Sequence, residues 1–549
     1  MRKLYHRHKK DLYIAFFIFV LAFSLRVGNS QLEAINSDEH FWNFRTNRFH
    51  LALLNQDWPN TLVSGHPGTS LNWISLISLR STRLVYRLAD PSYDYQDFPY
   101  LLNTFDRVHF AYQLPIMLIT SLLIALSYIV LKFLSNRLFA LIASSLLLSD
   151  LFFLAHSRLV QLDALQTSFL IGSLLTSLLY LRYKRRPLVI LTGILLGLNS
   201  MTRIYGAGAF PFLLLVMHWD TFKDVVRQKS AGVALLKDLS MNLFLLLSTA
   251  VLTSVILLPA LLVSPKVVMD SFYRSIFVEG VEGRFDGKSF FAGQSILGGE
   301  PRIYYLISLI FRQSVVPFLM LPITLYLLLR RKIKDENIRQ ILTIVLLFSL
   351  YWGIALSFPS KKEDRYILPL HLMIDIFVAG GIYTIWVWIA DKKRMVVNAQ
   401  QKCALVGVLF LIGISMYSVH GVGGQYLGYY NPLLGGSSGA INYIQVGWGE
   451  GLRDVATYLN GLDNPEDIIV ASWHESSLSP YCICKVTEAF NYEGEDVSHI
   501  VFYRDQMQRQ QEEVMIEKYF RKEDIVFVSS LNGTEYAWVV KKPTKQNNY

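Results

Sequence analysis

Residues 11–41 read DLYIAFFIFVLAFSLRVGNSQLEAINSDEHF, and the change of character within them decides the fold. The apolar run Leu12 to Val27 is long enough to enter a bilayer, and the chain before it is basic, with Arg2, Lys3, Arg7, Lys9 and Lys10. Positive flanks stay cytoplasmic, so the polar stretch after the run emerges on the opposite face. That stretch carries two adjacent carboxylates, Asp38 and Glu39. Nucleotide sugars and ATP are absent from the outer face, so any reaction there must draw on a donor that the membrane itself delivers.

The rest of the chain repeats the pattern. Of 549 residues 52% are hydrophobic and 17% charged, and the apolar ones gather into runs of about 20, the length of a membrane-crossing helix. The net charge of +10 does not point to nucleic acid, because the basic residues fall in short clusters between apolar runs: Arg182 to Arg186, Lys223 to Lys237, Arg330 to Lys334 and Lys392 to Arg394. Clusters so placed mark cytoplasmic loops. They predict an all-α polytopic membrane protein of about eleven spans, near 12–28, 108–131, 138–155, 164–181, 187–202, 204–218, 240–262, 302–329, 338–358, 366–388 and 403–420. With the N-terminus inside, every cluster lies inside and the C-terminal tail lies outside. Residues 69–88 are also apolar, but Arg80, Arg83 and Arg87 share one helical face, and a span there would invert every later loop. They are read as an interfacial helix within a long outer loop, 29–107.

The first apolar run is too long for a signal-peptide core and no small-residue cleavage site follows it, so it is expected to remain as a span. Beyond about residue 439 the pattern shifts to short strand-like runs (467–471, 497–503, 524–529) between two helical stretches (451–459, 510–521). This predicts a transmembrane domain, 1–438, followed by a small extracytoplasmic α/β domain, 439–549. Asn532-Gly533 supplies a hairpin turn, which also accounts for the glycosylation-like Asn532-Gly533-Thr534. The three cysteines make no disulfide framework: Cys482 and Cys484 stand too close for an ordinary bridge, and all three, Cys403 included, are expected to be packing residues.

An enzyme on the outer face needs a carboxylate to accept a proton and cations to hold an anionic leaving group. The outer loops offer both. The first holds Asp38-Glu39 and later His66-Pro67-Gly68, where the imidazole can hydrogen-bond an oxyanion; the plainer readings are a helix N-cap and a simple turn. The second holds Arg158 and, five residues on, Asp163, which alternatively form a structural ion pair. A later one reads Pro359-Ser360-Lys361-Lys362-Glu363-Asp364-Arg365-Tyr366, positive charge on the face where it is not topogenic. Such charge suggests an anionic ligand, with ordinary loop charge as the alternative; Lys362, Arg365 and Tyr366 are its candidate binding residues. Competing signatures fail. Residues 283–289 lack the glycine spacing of a phosphate loop, 421–424 break off as a dinucleotide fingerprint, and no Asp-x-Asp, His-Glu-x-x-His or Cys-x-x-Cys occurs.

Ser37-Asp38-Glu39-His40-Phe41, His66-Pro67 and Ser157-Arg158 with Asp163 together resemble the protein O-mannosyltransferases of the GT-C superfamily. More distantly the chain is similar to the lipid A aminoarabinose transferases. Leu258-Pro259-Ala260, Phe290 to Gln294, Arg365 to Pro369, Tyr430 to Gly436 and Val446 to Gly451 look like prokaryotic members. The resemblance implies transfer of a sugar from a polyprenyl-phosphate carrier to an acceptor on the outer face of the cell membrane, with inversion. It implies Asp38 as the base, Glu39 orienting the acceptor and Arg158 holding the carrier phosphate. It leaves a divalent metal open, with Asp38 and Asp163 as its candidate ligands. The large β-trefoil insertion of the eukaryotic members has no room in the loop 263–301, so the acceptor stays open among a protein hydroxyl, a lipid and a glycan. Two other functions fit less well. A transporter or flippase would be expected to show internal repeats, and an inactive scaffold need not have kept Asp38, Glu39, Arg158 and Asp163.

Overall fold

The computed structural model describes residues 2–28, 30, 34–89, 102–226, 233–282, 287–394, 422–494 and 496–542, with isolated positions between 406 and 417. Helices dominate up to Lys392. Five are long and apolar enough to cross a membrane: Val108–Leu134, Leu162–Tyr183, Lys237–Leu257, Glu336–Ser357 and Asp364–Lys392. A sixth crossing is counted if the bent pair Tyr304–Arg312 and Val315–Leu329 is one span; shorter apolar helices cover Arg137–Ser149, Arg186–Thr202 and Ile204–Met217. The chain is a membrane protein, and this strict count stops short of the eleven expected spans. The stretch expected over 403–420, with Cys403, lies outside the described residues.

Two expected spans are broken, each at a polar residue. The run 138–155 stops as a helix at Ser149, and Asp150 then caps a new helix, Leu151–His156, by accepting from the Phe153 N–H at 2.6 Å. The run 302–329 bends by 119° between Arg312 and Val315. The expected interfacial segment is one helix, Thr69–Ala89. It follows Gly68, whose φ of +60° and contact with the Trp42 ring leave no room for a Cβ.

The C-terminal region carries a five-stranded mixed sheet. We number the strands in chain order: a hairpin β1 (Ser289–Phe291) and β2 (Gln294–Ile296), then β3 (Ile469–Ser472), β4 (Lys485–Glu488), β5 (Val497–Tyr503), β6 (Ile525–Leu531) and β7 (Thr534–Lys541). The sheet order is β4-β3-β5-β7-β6, with β3 parallel to both neighbours and β7 antiparallel to both of its own. Asn532 and Gly533 join β6 to β7 with φ of 49° and 76°, the left-handed pair that a two-residue hairpin requires. The expected helix 451–459 is Leu452–Asn460, whereas the expected 510–521 is helical only over Glu513–Tyr519 and a separate short helix, Arg504–Arg509, precedes it. One expectation is overturned. Cys482 and Cys484 are joined as a disulfide, because the extended backbone at Cys482 sets their Cα atoms 5.1 Å apart, within ordinary bridging distance.

Specific contacts seat the sheet region on the helices. The Ile35 N–H donates to the Tyr481 hydroxyl at 3.1 Å, Arg453 pairs with Asp106, and the Ser295 hydroxyl on β2 donates to the Arg509 carbonyl at 2.9 Å. The sheet region thereby stands over the start of the helix that carries Asp38.

Candidate functional site

The helix Ser37–Leu54 begins with a capping box: the Asn36 side chain accepts from the Glu39 N–H, and Glu39 accepts from the Asn36 N–H, both at 3.0 Å. The second Glu39 oxygen accepts from the Val160 N–H at 2.7 Å and lies 3.3 Å from His109 Nε2. Glu39 is fully buried and ties the start of its helix to the segment around Val160. Of the adjacent carboxylates, the one that reaches open space is Asp38, with 37% of its side chain exposed.

Asp38 accepts from Arg365 Nη2 at 3.1 Å. The same guanidinium contacts Glu363 at 3.2 Å and approaches Asp163 at 3.7 Å, and its plane lies 4.3 Å from the Trp448 ring. Asp163, in the first turn of helix Leu162–Tyr183, is held by Arg203 Nη2 at 2.9 Å on each oxygen. Arg203 in turn lies over the Tyr366 ring at 4.7 Å. The result is a chain of alternating charge, Asp38, Arg365, Asp163 and Arg203, joining segments remote in sequence. Arg365 stands between the two carboxylates nominated for a metal. Among the described residues no group of three or more His, Cys, Asp or Glu is placed to hold one.

Arg365 and Tyr366 belong to one short 3-10 turn, Asp364–Ile367, which separates two chambers. On one side a polar chamber of about 530 Å³ is lined by Asp38, His156, Arg312, Asp364, Arg365 and Trp448, and by Trp473, His474 and Asp505 of the sheet region. Arg312 pairs with Asp364 at 2.8 Å, donates to the Leu427 and Tyr429 carbonyls and lies 3.8 Å over Tyr430. In the far wall His474 lies 2.8 Å from Asp505. Burial pushes the Asp505 carboxyl up, but His474 and Arg509 outweigh it and hold it below its ordinary value. On the other side of the turn an apolar chamber of about 300 Å³ is lined by Trp352, Leu356, Phe358, Tyr205, Tyr366 and Lys361, with His66 at its edge. His66 Nδ1 lies 3.0 Å from the Ser275 hydroxyl. Burial first, then the charges of Arg203, Lys361, Arg45 and Arg365, push this imidazole down to about 3, so it is neutral.

The residues nominated from sequence therefore divide. Asp38 and Arg365 line the polar chamber, Tyr366 and His66 the apolar one, and Asp163 is reached through Arg365. Arg158 does not join them or pair with Asp163. It is fully buried, donates to the Leu25, Gly28 and Gly424 carbonyls and lies 4.0 Å over Tyr426. Lys362 donates its ammonium to the Glu300 and Pro359 carbonyls, and its neighbour Lys361 faces the apolar chamber instead. Sequence reasoning missed Arg203, Arg312 and Asp364. Arg312-Gln313-Ser314, three polar residues inside an apolar run, was the available signal for the second of these.

Residues 80–265 match the family model described as dolichyl-phosphate-mannose-protein mannosyltransferase. The resemblance read from the motifs is thereby shown over a segment that contains Arg158, Asp163 and Arg203. No curated protein matches the chain. Among solved structures, ArnT from Cupriavidus metallidurans bound to undecaprenyl phosphate is 13% identical with a TM-score of 0.49, over 97% of this chain and 98% of that one. The same enzyme in the apo state is 12% identical with a TM-score of 0.49, over 98% of each chain. The Archaeoglobus fulgidus oligosaccharyltransferase is 12% identical with a TM-score of 0.48, over 91% of this chain and 70% of that one.

Proposed function

We propose that this protein is a membrane glycosyltransferase that moves a sugar from a polyprenyl-phosphate carrier to an acceptor hydroxyl, at a site on the extracytoplasmic face. One observation carries the reading: a carboxylate with open access, Asp38, lies across a single turn from an apolar chamber edged with Lys361 and Tyr366. The apolar chamber takes the start of the carrier lipid, whose phosphate lies toward Lys361, Tyr366 and the Arg203 side of the charge chain. The acceptor enters the polar chamber. Asp38 takes the hydroxyl proton as the oxygen bonds to the anomeric carbon, and the bond from that carbon to the phosphate oxygen breaks. The electron pair leaves with the carrier phosphate, already a stable anion, so the site needs cations more than it needs a general acid. Base and leaving group approach from opposite sides of the turn, which is the arrangement of a single inverting displacement. Arg365 fixes the Asp38 carboxylate, and neutral His66 orients rather than neutralises.

Asp38→Asn tests this. The substitution is nearly isosteric, and loss of a general base costs about 100-fold to 10,000-fold in turnover. The expected result is a folded variant that retains polyprenyl-phosphate-sugar and scarcely releases free carrier phosphate. Turnover within threefold of the natural chain would return Asp38 to the role of a capping-turn residue.

A further inference from the structure

The wall that the sheet region adds to the polar chamber has a charge pattern that the transfer chemistry does not require. Among the residues lining the chamber, carboxylates outnumber guanidinium groups eight to three, and no lysine is present. Each arginine is already matched: Arg312 by Asp364, Arg365 by Asp38 and Glu363, Arg509 by Asp505. Glu450 is buried and accepts from the Trp448 N–H and the Tyr503 hydroxyl. Three carboxylates, Glu475, Glu488 and Glu512, have no ionic partner among the described residues, and they stand beside the aromatic rings of Trp473 and Phe490.

A second, separate feature points to a ligand in the same space. His156 is 1% exposed, ends the helix Leu151–His156 against Phe152 and Trp448, and lines the chamber. Among the described residues neither of its ring nitrogens has a hydrogen-bond partner. A buried imidazole left so is costly unless a bound molecule supplies the partner.

The chemistry of that molecule follows from what the wall offers. Surplus carboxylates repel a phosphorylated headgroup. A neutral glycan carries no charge to offset the three carboxylates left without an ionic partner. Lysine and arginine side chains donate only, carry positive charge and bind over aromatic faces. We propose that the wall formed by Trp473, Glu475, Glu488, Phe490 and Glu512 selects an acceptor polypeptide whose reacting hydroxyl is flanked by lysine or arginine. This rests on the glycosyltransferase reading and names the acceptor of the same site.

The test uses the full-length protein in lipid nanodiscs and two labelled peptides with one central threonine, flanked by lysines in one and glutamates in the other. Binding is followed by fluorescence anisotropy, and turnover by release of polyprenyl phosphate. The lysine peptide should bind about tenfold tighter or more at low salt, an advantage that shrinks as ionic strength rises. Glu475→Gln with Glu488→Gln should bring the ratio of the two affinities close to one, and Glu475→Lys with Glu488→Lys should invert it. Equal binding by the natural chain overturns the proposal and needs no variant to show it. So does tighter binding of a neutral oligosaccharide or of an anionic phospholipid headgroup. Preferential binding of the lysine peptide without carrier release from any donor would sustain the wall's selectivity while removing the glycosyltransferase reading.

Discussion

Arg365 and Arg203 both hold Asp163, yet their removal should fail in different ways. Arg365→Ala deletes contacts of 3.1 Å to Asp38 and 3.2 Å to Glu363, whose side chains are 37% and 31% exposed, and one of 3.7 Å to Asp163. Asp163 keeps both of its 2.9 Å contacts with Arg203. Solvent screens the two exposed partners, so their loss should cost about 1 kcal/mol or less each in stability. The catalytic cost is larger. Loss of one charge-assisted hydrogen bond that positions the base, worth about 1.5–3 kcal/mol, corresponds to a fall of roughly 10-fold to 150-fold in kcat. Arg203→Ala instead strands a carboxylate with 1% side-chain exposure, opposite a partner 6% exposed. Breaking a buried pair from one side costs about 3–5 kcal/mol. Thermal melts and carrier-phosphate release on the same purified preparations separate the cases: Arg365→Ala should be folded and slow, Arg203→Ala unstable. Arg365→Lys should recover part of the rate, since it restores charge without the planar fork. If Arg365→Ala loses as much thermal stability as Arg203→Ala, or turns over within threefold of the natural chain, the assignment of Arg365 as the residue that positions Asp38 is wrong.

Arg158→Ala should act on stability rather than on donor affinity, because it strips donors from three carbonyls; a loss of about 3 kcal/mol or more is expected by chemical denaturation. Combining it with Asp163→Ala should add the two losses, and rescue in the double variant would show an ion pair that the structure does not contain. His66 is held neutral in the folded chain, with its ionisation pushed down to about 3, against about 6.5 in an unfolded one. The stability it confers is therefore complete above about pH 6.5 and is lost as pH falls toward 3. Carbon-13 histidine spectra should show its ring unprotonated throughout pH 5 to 8, and a His66 signal titrating in that range would refute the neutral assignment.

The parts of the site that could be read from the sequence were those whose charge stood out against their surroundings. Asp38 follows an apolar run, and Arg365 falls in a loop expected on the face where basic residues are not topogenic, so both stood out. Asp163 and His66 were nominated by motif, and the structure places Asp163 in the charge chain and His66 at the edge of the apolar chamber. Glu39 shared the Asp38 signal but is taken up in a capping box, and sequence had posed that reading for the pair without distributing it between the two. The spacing of Arg158 from Asp163 says nothing about direction. The turn after Leu151–His156 aims the arginine at backbone carbonyls, while Arg203, remote in sequence, takes Asp163. Arg203 and Arg312 were hidden in apolar segments read as continuous or paired spans, and a helix bend of 119° has no periodicity to betray it. Hydrophobic patterning located the helices and the hairpin turn, but it does not count spans where polar breaks divide them.

The turn Asp364–Ile367 is a wall of both chambers, so whatever displaces it on one side is felt on the other. On the proposed function, the lipid carrier and the acceptor occupying those chambers would not bind independently. By thermodynamic linkage, the factor by which one occupant changes the affinity for the other is the same in both directions. Such coupling would follow from a few residues of backbone, without any moving domain.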